Sequence, residues 1–148
     1  MVRQFLLFLH LSGVIVWVGG MSFAYFCLRP AAGALLEPPR RLALWVAVFE
    51  PFFRIVAGAV AVILASGFAM FADAAAPVPR GWYFMMSFGV AMAVVFGYVY
   101  GALYPRLRAH CAASAWPQAA AVLDAIRQLV AANLVLAALA VAGAVSAR

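Results

Sequence analysis

Four long apolar runs fix the class of structure open to this chain. They cover about residues 4–28, 52–72, 82–104 and 128–147. Each is long enough to cross a bilayer core, which takes roughly 20 helical residues. Backbone N–H and C=O groups find no water in hydrocarbon and must bond within the chain, so each run reads as a helix. A β-barrel would show short alternating segments, and the sequence has none. With 70% hydrophobic and 9% charged residues among 148, no soluble domain of this size could bury so much apolar surface. The expected fold is all-α: an integral membrane four-helix bundle forming a single domain over residues 1–148.

Punctuation between the runs suggests their boundaries. Arg29-Pro30 follows the first run as a positive anchor and a helix breaker. Pro38-Pro39-Arg40-Arg41 lies in the connector after it, and Leu42 to Phe49 carries Trp45 and Phe49 four apart. That segment is expected to form a short interfacial helix in the first connector. Pro51 suits the first turn of the second helix. Asp73 to Arg80, with Pro77 and Pro79, reads as a turn, and Pro105 as the stop of the third helix. Ser114 is placed to cap a last helix opening near Pro117 and running to about Ala147. The first three turns of that helix set Leu123, Ile126 and Val130 against Gln118 and Asp124. The first run is longer than a signal-peptide core, and Trp17-Val18-Gly19-Gly20-Met21 offers no small-x-small cleavage site, so it reads as a retained helix.

The net charge of +6 comes wholly from arginine. On a membrane protein this indicates topology and headgroup contact, not nucleic-acid binding. Arg29, Arg40, Arg41, Arg54, Arg106, Arg108 and Arg127 flank the first and third connectors, whereas Arg3, Arg80 and Arg148 lie on the other side. The positive-inside rule puts those connectors in the cytoplasm and both termini outside, in a bacterium at the periplasmic face. Cys27 and Cys111 then face the reducing side, and free thiols are expected.

Small residues mark helix contacts. Gly89, Ala93, Gly97 and Gly101 recur every four residues along the third helix, and Gly19-Gly20 interrupts the first. Such a stripe permits close backbone approach, within the bundle or across a homodimer, with intramolecular packing the simpler reading. Ala57, Ala61 and Ala65 make a similar stripe on the second helix. Asn133, near the arginine-rich end of the last helix, is expected to hydrogen-bond a neighbouring helix.

Polar groups inside the membrane need partners, and they are the places to look for function. His10 is the one histidine within an apolar run, roughly 9 Å inside the outer end of the first helix. Met70, Met85 and Met86 sit near the same surface, and Asp73 just above. Imidazole and thioether together suit Cu(I), and either can be an axial ligand to haem iron. The simpler reading of His10 is a donor to a serine or backbone carbonyl next door, and of the methionines, packing. Met21 and Met92 lie deeper and read as packing. Tyr25, Tyr98, Tyr100 and Tyr104 read as an interface belt, or as the lining of a porphyrin or quinone pocket with Trp17. Glu50 and Arg54 have ion-pair spacing; His110-Cys111 is too small a set to be a metal site by itself. No Gly-x-Ser-x-Gly, Walker loop, Cys-x-x-Cys or intramembrane carboxylate pair is present.

These residues resemble a known family. His10-Leu-Ser-Gly-Val-Ile-Val-Trp17-Val-Gly19-Gly20 resembles the first-helix pattern of the copper-resistance D (CopD-like) membrane proteins. Arg41 to Trp45 with Phe52-Phe53, Leu64-Ala-Ser66-Gly67, and Arg127 to Leu136 around Asn133 are similar to the same family. The resemblance implies a four-helix unit of the bacterial inner membrane, joined in larger relatives to further helices and associated with copper uptake or tolerance. It also implies kinship with a haem-dependent protoporphyrinogen oxidase that uses a membrane histidine and lysine. This chain has no lysine, and no histidine near Tyr98.

Three functions are therefore set against the structure. The first is a copper-handling protein taking Cu(I) at the periplasmic side through His10, Met70, Met85 and Met86, alone or with a periplasmic copper or redox partner. The second is a b-type haem protein with His10, Trp17 and Tyr98 at the cofactor, in which case it would be a membrane oxidoreductase. The third is a cofactor-free accessory subunit.

Overall fold

A computed structural model describes residues 1–74 and 78–146 of the chain. Among them every regular element is helical. Four helices are long and apolar enough to cross a membrane: α1 (Val2–Leu35), α2 (Pro38–Ala72), α3 (Arg80–Ala112) and α4 (Trp116–Val145). This is a multi-pass membrane protein. Pro77 of the expected second connector, and Ala147 and Arg148 at the end of the last run, lie outside the described residues.

All four helices are longer than the apolar runs, and for α1, α2 and α3 the reason is that three prolines expected to mark helix ends do not. Pro30 and Pro105 each stand inside a continuing helix, just after a five-residue π turn: Ala24–Leu28 before Arg29-Pro30, and Val99–Leu103 before Tyr104-Pro105. A proline has no N–H and its ring crowds the carbonyl four residues back. The wider π turn shifts the bonding register ahead of the ring, so proline takes the opening position of the next α segment, where its missing donor is not needed. The same device thus extends α1 and α3 beyond their apolar runs at the arginine-rich end. Pro51 is interior to α2 and does not open it. Just over one turn before Pro51, Tyr104 of α3 donates its hydroxyl to Val46 O at 3.4 Å.

Residues 42–49 accordingly do not form a separate interfacial helix. They are the first turns of the 35-residue α2, with Leu42, Trp45 and Phe49 buried against the other helices. Burying three large side chains on one face outweighs the headgroup position their aromatic pattern suggested. Only Leu36 and Glu37 separate α1 from α2. Ser114 does not cap α4; it takes a left-handed φ of 54° in the turn, and Ala115 precedes the helix without a side-chain cap. Trp116 N–H donates to Ser114 O at 3.0 Å, and Ala115 N–H to His110 O at 2.9 Å.

The most extensive helix contacts are α1 with α2 and α3 with α4, two antiparallel pairs. Glycines set the first. A Cβ at Gly13 would stand 2.7 Å from Ile63 Cγ1 and 3.1 Å from Ala59 O, and one at Gly20 would strike the Phe52 ring. At Gly143 α4 comes close to α3 in the same way, a Cβ there standing 3.2 Å from Phe84 Cβ and 3.5 Å from Gly81 O. The pairs meet through an aromatic core: Phe49 stacks on Phe53 at 4.8 Å, Phe53 lies 5.3 Å from Tyr104, and Phe96 packs edge-on to Trp17 at 6.0 Å.

The small-residue stripes behave differently from the simpler expectation. Gly19, Gly89, Gly97 and Gly101 have nothing within 4 Å of where a Cβ would stand, so none of them mediates packing inside this bundle. Ala93 and Ala57 do pack against the core, while Ala61 and Ala65 are exposed. Periodicity placed the α3 glycines on one face, but that face turns outward because Met92, Phe96 and Val99 occupy the inner one.

Candidate functional site

The site is built around the His10 ring, which lies half-buried between α1 and α2. Its Nδ1 is 3.0 Å from Ile63 O and 3.2 Å from Ser66 Oγ. A carbonyl can only accept, so the proton is on Nδ1 and the ring donates. Ser66 gives its own hydroxyl hydrogen to Val62 O at 2.6 Å, which leaves the Ser66 oxygen as a second acceptor for the same N–H. Gly67 completes the niche: a Cβ there would stand 3.2 Å from His10 Cε1 and 3.4 Å from Nδ1. With Nδ1 protonated, a neutral imidazole carries its lone pair on Nε2. Among the described residues Nε2 has no hydrogen-bond partner. The reading of His10 as a donor to a serine and a backbone carbonyl therefore holds, and it leaves the other nitrogen available.

The remaining candidate ligands lie at the same end of the bundle. Met70 is on α2 one turn beyond Ser66, on the face that carries Ser66, and is half-buried. Met85 and Met86 are half-buried on the first turns of α3, where the backbone of Met85 runs close to Gly143 of α4. Aromatic contacts fasten this end of α3 to its neighbours: the Arg3 guanidinium lies 5.5 Å over the Trp82 ring, and Phe71 meets Tyr83 at 5.3 Å. Asp73 is exposed just past α2. The described residues include no group of three or more His, Cys, Asp and Glu side chains able to hold a metal. Any soft-metal site here rests on one imidazole and on thioethers.

Asn133 is buried at 3% exposure and lies mid-helix, since α4 begins at Trp116, well ahead of its apolar run. Its Nδ2 donates to Met92 O of α3 at 3.3 Å, the expected bond to a neighbouring helix. A cavity of about 20 Å³ lies beside it, lined from all four helices by residues including Trp17, Met21, Phe53 and Phe96.

Residues 46–147 match the copper resistance protein D family. The chain belongs to this family. No curated protein and no solved structure matches it. The matched span holds α2 from its third turn, α3 and α4. It therefore includes Ser66, Met70, Met85, Met86 and Asn133 and leaves out α1 with His10 and Trp17. In this CopD-family chain the histidine and the surface that orients it come from opposite sides of that boundary.

The other residues singled out in the sequence fall in several places. Trp17 is buried at 4% against Phe96, whereas Tyr98 is 53% exposed on the outer face of α3. The cavity that Trp17 lines is bordered by neither His10 nor Tyr98, and its volume of about 20 Å³ does not admit a porphyrin. The three residues expected at a haem are therefore not brought together on one face. Tyr104 is a core residue, not a belt residue; Tyr100 stacks between it and Phe96. Arg29 and Arg108 lie over Tyr25 and Tyr104. Among the described residues the ion pair is Arg127 with Asp124, which also accepts from Gln128; Glu50 and Arg54 do not pair. Both cysteines are free.

Sequence reasoning missed the particular partners of His10. Ser66-Gly67 inside an apolar run was the available signal, a hydroxyl beside a residue with no side chain.

Proposed function

We propose that this CopD-family protein handles copper at the periplasmic face of the bacterial inner membrane, accepting Cu(I) through His10 Nε2 with thioethers from Met70, Met85 and Met86. One observation carries the reading: His10 spends its single N–H on Ile63 O and Ser66 Oγ, which leaves Nε2 as a fixed, neutral donor. Histidines that bind metals are held in this way, their second nitrogen donating to a carbonyl or similar acceptor that sets tautomer and ring direction. Imidazole and thioether form a donor set soft enough for Cu(I). Membership of a copper-resistance family supports copper as the metal. A homodimer through the outward glycine face of α3, and delivery by a periplasmic partner, belong to the same proposal.

The test is competition for Cu(I) between the purified protein and a chromophoric Cu(I) chelator. His10→Leu should abolish binding, and Met85→Leu with Met86→Leu should weaken it. Ser66→Ala should lower affinity by roughly tenfold or more, the usual effect of losing an orienting partner. Helix content by circular dichroism should be unchanged in all three. Equal affinity in His10→Leu and wild type would refute the assignment.

A further inference from the structure

We propose that the centre of the bundle is a binding site for one water molecule, held by the side-chain carbonyl of Asn133. The orientation of this amide is fixed by its bond to α3. Nδ2 donates to Met92 O at 3.3 Å, and the flipped amide would set two oxygens against each other. Oδ1 is thereby left as an acceptor, and among the described residues it is the one buried side-chain polar atom with no partner. A buried carbonyl without a donor is unfavourable anywhere, and more so where no bulk water can reach it.

Asn133 is itself one of the residues lining the interhelical cavity of about 20 Å³. That space is just above the minimum for one water and below what any larger guest requires. An apolar hole of this size stays dry, and a water occupies it only where at least two polar groups can bond to it. Among the other lining side chains, only the indole of Trp17 carries an N–H, the donor available to the water oxygen. A water here donates to Asn133 and accepts from Trp17. It then couples α4 to α1 inside the bundle, while the other end of the Asn133 amide couples α4 to α3.

Two methionines give an internal control. Met21 and Met92 are each 3% exposed, but Met21 lines the cavity and Met92 does not. X-ray hydroxyl-radical footprinting of the full chain in lipid nanodiscs generates radicals wherever water sits, and mass spectrometry then reads sulfoxide at each methionine. The expected result is oxidation of Met21 several-fold faster than Met92. Val130→Ile adds a methylene to the cavity wall, and Asn133→Leu removes the acceptor. Either change should bring the Met21 rate down to that of Met92. Equal rates in the wild type mean a dry cavity and overturn the proposal. So does a fast Met21 rate that neither substitution lowers, since the radicals would then come from elsewhere. The wild-type comparison decides the matter even if a variant fails to fold.

Discussion

At the scale of single residues, three neighbours on one turn and a half of α2 decide the chemistry of His10. Ile63 contributes a carbonyl, Ser66 an oxygen whose hydrogen is already committed, and Gly67 the empty space that lets the ring approach. The last of these is the easiest to probe. In Gly67→Val the new Cβ would stand 3.2 Å from the imidazole, with methyl groups beyond it, so the ring must leave both acceptors. Copper affinity should fall by about tenfold or more, as for loss of an orienting partner, with helix content retained. Unchanged affinity in Gly67→Val would show that the niche does not orient the ligand. His10 itself was legible as a polar group in an apolar run. Its partners were not, because helical periodicity gives the face of α2 that carries Ser66 but not the depth at which α1 lies against it.

At the scale of helices, proline and glycine carry most of the information, and both are easily misread. Pro30 and Pro105 look like stops, yet each helix continues because a π turn placed just before the ring removes the conflict. Glycines that look alike in sequence have opposite roles. Gly13 is pressed against Ile63 and the backbone of Ala59, whereas Gly97 faces open space. Gly13→Leu should therefore destabilise the α1–α2 pair by about 1–3 kcal/mol, the ordinary result of overpacking a close contact. Gly97→Leu should change monomer stability by less than about 0.5 kcal/mol, as for a substitution away from any contact. Reversible unfolding in mixed detergent micelles would measure both. If Gly97→Leu instead shifts the protein from dimer to monomer in cross-linking, the outward stripe is an interface.

At the scale of the whole molecule, charge and packing divide the bundle into two ends. One end carries Arg29, Arg40, Arg41, Arg106 and Arg108 with the π-extended turns of α1 and α3; the other carries His10, Met70, Met85 and Met86. Under the positive-inside rule the arginine end is cytoplasmic. Alkaline phosphatase fused after Arg148 should then be active, and green fluorescent protein at the same point dark. The reverse pattern would put the methionine end in the cytoplasm, and the copper reading would lose its periplasmic direction. By itself the sequence determined the number of membrane helices, their apolar cores, the charge asymmetry and the one intramembrane imidazole. All of these follow from local composition measured against the thickness of a bilayer. Only the tertiary structure decided where helices end, which glycines are contacts, which nitrogen of His10 is free and that Asn133 keeps an unpartnered carbonyl inside the bundle. Those depend on the register and rotation of one helix against another, set by the fit of many side chains at once rather than by any stretch of sequence.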